Sequence, residues 1–447
     1  MYILDRRRLV ENKVPETISQ KSATAIGLGA IIGAGIFVLS GTAIALAGSY
    51  ALVSFVIVGI IALIVALELG ELGSIMPQEK GASYSYVRGA FGSELGFITG
   101  LLLYFSYVSS VPVIALGFGA YLSTLTGLDA RGFQTAFALV LIGVLAVVNM
   151  LGVSKAARTE LGLVVFKVCI LLLFIGFGIV FTLNHNFANY SNFVSLPQQR
   201  SIQAVFSASV AVFFAYAGFQ SISTITPEVK GGSKRAARAI VSSVSISLVL
   251  YVLVALVLIL LVPAKSFKIV ADPISYALAS SSAPSSISYL IGLGALIATT
   301  SAALAMILSS SRILYQLSAD GLLPQVLGRY NDRRDVPTNG IMISALLAVP
   351  FLLLGNVFII AAVSNFGLIF SYIMASLAVL KFRKDEKHSE MKTRLSPYLP
   401  LIAILALLTL MLGMPSEALV IGIVTLIVLM LVYHFFKSKA SIERLFA

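Results

Sequence analysis

The stretch Gly29-Ala30-Ile31-Ile32-Gly33-Ala34-Gly35-Ile36-Phe37 sets three glycines in the middle of the first apolar run, about residues 22–47, which is otherwise long enough to cross a bilayer. Glycine weakens a helix interior, so the sequence predicts a break there. Backbone freed from its ladder inside hydrocarbon is costly unless something satisfies it. Two outcomes are open. The break can hold a polar solute at mid-depth, as broken helices of secondary transporters do, or the glycines can serve only close packing of helices.

Composition places the break in a polytopic membrane protein, since 58% of residues are hydrophobic and 11% are charged. Twelve apolar runs of about the length of a span can be read, near 22–47, 50–75, 90–123, 133–152, 158–182, 203–227, 238–262, 286–316, 338–355, 356–380, 397–413 and 416–436. The expectation is one transmembrane domain over 1–447, all-α, with short connectors. Ala43, Ala45 and Ala47 resemble a signal-peptide cleavage site, but the run is too long for an ordinary signal core. It is expected to stay as a span.

The net charge of +12 is distributed by side of the membrane. With the N-terminus inside, 26 Lys and Arg fall in inner segments, and only Arg131, Arg200, Lys265 and Lys268 fall outside. That asymmetry predicts cytoplasmic N- and C-termini in a multi-pass protein of the plasma membrane. A nucleic-acid partner would need basic residues gathered on one folded surface with aromatics among them, which is not seen. The one cysteine, Cys169, reads as a buried small hydrophobe, and His185, His388 and His434 are too scattered for a metal site.

A second interruption, Phe213-Phe214-Ala215-Tyr216-Ala217-Gly218-Phe219, lies in the sixth run, five spans after the first. Five is odd, so a duplicated five-span unit must enter the membrane in opposite orientations. This predicts an inverted repeat, about 22–182 and 203–382, each half opened by a broken helix, with two extra helices at about 397–436.

Several patterns together resemble the amino acid–polyamine–organocation (APC) transporter family, from about Pro15 to Phe436. They are the glycine string at 29–37; Glu71-Leu72-Gly73-Ser74 with Pro77, Gly81, Tyr84 and Tyr86; Ala90-Phe91-Gly92 with Gly96-Phe97; and Asn149 with Gly152-Val153. The sixth-run string, Glu228-Val229-Lys230 with Arg238-Ala239-Ile240, and Ser311-Arg312 with Tyr315 and Asp320-Gly321-Leu322-Leu323-Pro324 complete them. The resemblance implies the five-plus-five fold shared with the leucine transporter and ion-coupled movement of amino acids or amines. Departures are visible as well. Gln220 stands where many relatives carry an acid, Pro227 and Gly231-Gly232 replace common residues after the sixth run, and Phe214 takes the place of an indole gate in a chain without tryptophan.

Physical chemistry assigns the ends of a zwitterion to the breaks. Freed N–H groups of Gly33, Ala34 and Gly35, at the start of an outer half-helix, carry partial positive charge and suit a carboxylate. Carbonyls of Ile31, Phe214, Ala215 and Ala217, next to Gly218, suit an ammonium, and the resemblance implies the same. It also implies that Ser106, Tyr107 and residues around Asn365-Phe366-Gly367 face the substrate side chain. None of these is charged, which favours a neutral or apolar amino acid.

Lys167 sits about nine residues from the inner end of the fifth span, or ~14 Å deep at ~1.5 Å per residue. At that depth it reads either as a group that gains and loses a proton or as a structural lysine held by carbonyls. By resemblance to proton-coupled relatives, its amine meets the Gly29 carbonyl and a hydroxyl among Thr299, Thr300 and Ser301. Glu68 and Glu71 lie one turn apart. Glu71 reads as an inner-gate partner of Lys230 or Arg238, and Glu68 as a helix-end anchor. Arg312 and Asp320 are expected to order the loop after the eighth span. The expected activity is proton-coupled amino acid symport, with exchange, facilitated passage or polyamine transport as alternatives. No enzyme chemistry, cofactor or metal is expected.

Overall fold

A computed structural model describes residues 18–77, 83–128, 131–152, 157–184, 202–220, 222, 225–334, 336–389, 391, 393, 395 and 397–445. Helix α1 (Gln20–Ile31) starts where the Ser19 side chain accepts the Ser22 N–H, at 3.1 Å. It stops at Ile32, whose ψ of 80° is not helical, and the Gly33 N–H turns back onto the Ile31 carbonyl at 2.8 Å. The chain resumes as a π-helical turn, Gly35–Leu39, that runs into α2 (Ser40–Ala47). Gly48, with φ of 59° and ψ of −138°, then reverses direction in a region closed to side chains and leads into α3 (Ala51–Ile75). The stretch Gln20–Ile75 spans 56 residues, ~80 Å of helix, which is enough for two crossings.

The remaining elements follow the apolar runs. They are α4 (Ser83–Phe91), α5 (Ser93–Thr126), α6 (Arg131–Met150), α7 (Ala157–Asn184), α8 (Ile202–Ala215) and α9 (Gly232–Leu261). A short α10 (Pro273–Ser280) precedes α11 (Ser285–Ala319), α12 (Thr338–Ala348), α13 (Val357–Lys384), α14 (Tyr398–Met411) and α15 (Ser416–Leu445). Helix α8 ends in a run of turns at residues 216–220. Each of the twelve apolar runs therefore carries helix. Among the described residues, eight stretches are long and apolar enough to cross a membrane alone, whereas Ile202–Ala215, Thr338–Leu354 and Tyr398–Met411 are shorter.

Burial separates a central from a peripheral set. The most apolar windows of α5 and α13 are 78% and 83% buried, against 11% for that of α15. Helix α5 packs on α11 and α13, α3 on α9, and α1 on α9 and α7, so the broken helices lie inside a ring of neighbours. Outward faces such as Val420, Ile423, Val424, Ile427 and Leu431 of α15 are apolar and exposed, as helices facing lipid must be. Cys169, expected to be buried, lies on the exposed side of α7.

Candidate functional site

The two breaks meet at backbone contact. A side chain at Gly35 would overlap the backbone of Ala215, and Gly218, at a φ of +108° that only glycine adopts easily, lies against the Ala30 carbonyl. Freed peptide groups need partners in a dry interior. Tyr251 of α9 places its one hydroxyl proton between the two breaks. Its hydroxyl lies 2.8 Å from the Ile31 carbonyl and 3.2 Å from the Ala215 carbonyl. Turn hydrogen bonds take others, Tyr216 N–H to the Phe213 carbonyl (3.1 Å) and Ala217 N–H to the Phe214 carbonyl (3.2 Å). Tyr121 of α5 donates to the Phe37 carbonyl at 2.7 Å and supports the π-helical turn.

One buried cavity opens between the breaks. Ala30, Ile31, Gly33, Ala34 and Gly35 form its first wall, and Phe214 and Ala217 form the second. Helix α5 adds Ser106, Tyr107, Ser110 and Ile114, α11 adds Ala302 and Met306, and α13 adds Ser364 and Leu368. The wall at Ala34 and Gly35 is the N-terminal end of a helical segment, where the first N–H groups have no partner within the helix and carry partial positive charge. The Ile31 carbonyl is the partially negative end of α1. Among the described residues no ionisable carboxyl or amine lines the cavity; the rest of the wall is aliphatic, aromatic or hydroxyl.

Of the residues singled out in the sequence, Ile31, Gly33, Ala34, Gly35, Ser106, Tyr107, Phe214 and Ala217 share this cavity. Ala215 and Gly218 instead form the contact between the breaks. The tenth run differs by helical phase: Ser364 and Leu368, one turn apart, face the cavity, while Asn365 turns to α8 and donates to the Val210 carbonyl at 2.6 Å. Gly367 lies against the Leu102 carbonyl and Phe366 against Gly422. Ser364 donates to the Ser106 carbonyl at 2.8 Å, tying α13 to α5 beside the cavity. The Tyr107 hydroxyl receives the side-chain amide of Gln220, whose oxygen accepts from Ser83 at 3.2 Å.

Lys167, 2% exposed, donates from Nζ to the Gly29 carbonyl at 3.1 Å. It thereby joins α7 to the last turn of α1, just before the break. The Thr299, Thr300 and Ser301 hydroxyls donate to carbonyls of their own helix, at 2.8, 2.7 and 3.1 Å, which leaves oxygen lone pairs for a cation.

Three connections gather at the end of the bundle that holds the α13 C-terminus. Glu71 pairs with Arg383, not with Lys230 or Arg238: Arg383 Nε and Nη2 donate to its two oxygens at 2.6 and 2.5 Å, and the Thr393 N–H and hydroxyl add 2.9 and 2.6 Å contacts. The side chain of Arg238 is exposed. Glu68 is no helix-end anchor; it is fully buried beside Ser376 of α13. Asp320 ties the end of α11 to α4, accepting from Tyr84 at 2.6 Å, from Gln316 at 3.3 Å and from Arg88, while Arg312 is exposed. Burial pushes the Asp320 carboxyl up, but the hydrogen bonds from Tyr84, Arg88 and Gln316 and the Arg88 charge hold it below its usual range. Burial and the adjacent Asp320 push the Tyr84 hydroxyl up. Two backbone bonds, Ile18 N–H to the Glu228 carbonyl (2.9 Å) and Lys230 N–H to the Ile18 carbonyl (2.8 Å), stitch the segment before α1 to the one after the second break.

Tyr251, Ala302, Met306 and Arg383 escaped the sequence reading. Only Tyr251 leaves a signal there, as a lone hydroxyl within Leu248-Val249-Leu250-Tyr251-Val252-Leu253 that must find an acceptor in hydrocarbon.

Comparison with known proteins gives one family and several relatives. The sequence profile described as Amino acid permease matches residues 18–439. The chain is 28% identical to a branched-chain amino acid permease of Bacillus subtilis over 98% of each chain. It is 30% identical to a branched-chain amino acid permease of Lactococcus lactis over 90% of each. A methylthioribose transporter of Bacillus subtilis is 29% identical, over 95% of this chain and 94% of its own.

Proposed function

This chain belongs to the amino acid permease family, and we propose that it takes up a neutral amino acid with an apolar side chain, together with a proton, across the plasma membrane. In this reading the chain makes twelve crossings, with its basic face and both termini in the cytoplasm. Residues about 22–182 and 203–382 are the inverted repeats of a leucine-transporter fold, and about 397–436 lies outside them. Support comes from two helix interruptions at matched places five runs apart, in contact with each other.

The observation that carries the substrate assignment is the cavity between the breaks. One wall is the N–H end of a helical segment at Ala34 and Gly35, which suits a carboxylate. The Ile31, Phe214, Ala215 and Ala217 carbonyls suit an ammonium, and Ile31 and Ala215 exchange their present donor, Tyr251, for it. The side-chain end is bounded by Ile114, Ala302, Met306 and Leu368, with no carboxylate to hold arginine or a polyamine and no cation to hold glutamate. The branched-chain permeases among the relatives agree with an aliphatic substrate.

Proton coupling is assigned to Lys167. Protonated, it holds the Gly29 carbonyl and keeps α1 against α7; proton loss to the cytoplasm removes the charge and weakens that tie, so the inner half of the first span is free to move. The test uses protein reconstituted in liposomes without sodium. An inward proton gradient should concentrate labelled leucine, isoleucine or valine over arginine, glutamate and putrescine, and Lys167→Gln should still bind substrate but no longer concentrate it. Uptake that ignores the gradient, or that requires preloaded amino acid, identifies a facilitator or an exchanger instead.

A further inference from the structure

Glu68 is a fully buried carboxyl with a single hydrogen-bond partner among the described residues. Its Oε2 lies 2.5 Å from the Ser376 hydroxyl of α13, and its Oε1 has no partner. A carboxylate in such surroundings is costly unless a cation or several donors meet it. Among the described residues, the nearby cation Arg383 directs Nε and Nη2 to Glu71, with Nη2 also on Thr393. Glu71, one turn further along α3, offers no donor and accepts four hydrogen bonds of its own.

Among the described residues, the other helices packed on α3 bring no relief. Helices α2 and α8 carry no ionisable residue, and α14 carries only Tyr398 at its exposed start. On α9, Lys234, Arg235 and Arg238 are exposed, and Tyr251 serves the two breaks. Tyr50 lies at the opposite end of α3, and Tyr372 of α13 can give a single proton at most.

Ser376 decides where the proton is. Its hydroxyl has one proton and two oxygens near it, Glu68 Oε2 at 2.5 Å and the Tyr372 carbonyl, four residues back on the same helix, at 3.0 Å. A helical serine habitually gives its proton to that carbonyl, which cannot donate in return. With one Ser376 proton for both Glu68 Oε2 and the Tyr372 carbonyl, an ionised Glu68 would lack a full donor, which favours its neutral, protonated form.

We propose that Glu68 is a proton-binding site of this transporter, distinct from Lys167 and from the substrate cavity, loaded while α13 packs on α3 and discharged when that interface opens to water at the basic face. The step is a simple dissociation. The Glu68 O–H bond breaks, the carboxylate keeps the electron pair, and the proton goes to water.

Infrared spectroscopy of the purified full chain tests this without substrate or gradient, so its outcome is independent of amino acid symport and of Lys167. Wild type at neutral pH should show a protonated-carboxyl C=O band that shifts in D2O, disappears reversibly as the pH rises, and is missing in Glu68→Gln. Should Glu68→Gln fail to fold, Ser376→Ala keeps the carboxyl and removes its partner, and the band should move toward the position of a free acid. A wild type without the band, a band unaffected by both substitutions, or one that persists at every pH where the protein stays folded would overturn the proposal.

Discussion

The Tyr251 hydroxyl donates to the Ile31 carbonyl across 2.8 Å, with the Ala215 carbonyl 3.2 Å away, so one side chain of α9 sits between the exposed peptide ends of both broken helices. It satisfies groups that hydrocarbon cannot, and it occupies the position proposed for a substrate ammonium. Tyr251→Phe keeps the ring packed on Tyr216 and removes only the donor. The Ile31 carbonyl keeps the Gly33 N–H, but the Ala215 carbonyl loses its nearest side-chain donor, and a buried carbonyl left without a donor costs about 1–3 kcal/mol. We expect a lower melting temperature for the empty protein and a larger stabilisation by added amino acid than in wild type, since the ligand then supplies the missing donor. Thermal-shift titration measures both, and equal ligand-induced shifts in the two proteins would refute the overlap.

Contact between the breaks depends on missing side chains. At Gly35 even a methyl group overlaps the Ala215 backbone, whereas Gly143 on the lipid face of α6 has nothing near it. Gly35→Ala should therefore push the broken helices apart, lowering stability by about 1–3 kcal/mol, as overpacking does, and reducing transport at least tenfold. Gly143→Ala should be neutral or stabilising by up to about 1 kcal/mol, because alanine is the better helix former. Melting curves and liposome uptake of the pair give the comparison; equal losses in both would remove the contact from the argument.

The breaks themselves were legible because glycine and small residues in a membrane run announce freed backbone before any fold is known. Helical phase was not: the tenth run was placed near the cavity, but that Ser364 and Leu368 face it, with Asn365 turned to Val210, depends on how α13 rotates against α5 and α8. Nor was the partner of Glu71. Lys230 and Arg238 are nearer in sequence, but the folded chain brings Arg383, 312 residues away, to its carboxylate. The burial of Glu68 is hidden from the sequence for a related reason. A carboxyl close to a span end looks solvated until the neighbouring helix covers it.

The Glu71–Arg383 pair makes a strong prediction, because the carboxylate is nearly sealed, with 1% of its side chain exposed against 20% for Arg383. Removing one member of a buried pair leaves a stranded charge at a cost of about 3–5 kcal/mol. Arg383→Ala should approach that loss, and Arg383→Lys should recover only part of it, since an ammonium cannot reproduce the two-pronged contact. The double substitution Glu71→Gln/Arg383→Ala should be less damaging than the sum of the singles. Additive losses in denaturant or thermal melts would mean that the two residues act separately.

Asp320 gives the pH prediction. Burial opposes its charge, but Tyr84, Arg88 and Gln316 outweigh burial and hold its carboxyl below the ordinary value. A group with a lowered native pKa contributes its stabilisation in full above its unfolded value, about 4 for aspartate, and loses it as the pH falls through the native value. The clasp between α4 and α11 is therefore expected to be constant from about pH 5 to 8 and to weaken only in stronger acid. The stability difference between wild type and Asp320→Asn should be flat across the neutral range and shrink below about pH 4, as read from melting temperatures at a series of pH values. A difference that changes steadily between pH 6 and 8 would mean that a different group, and not this carboxylate, governs the clasp.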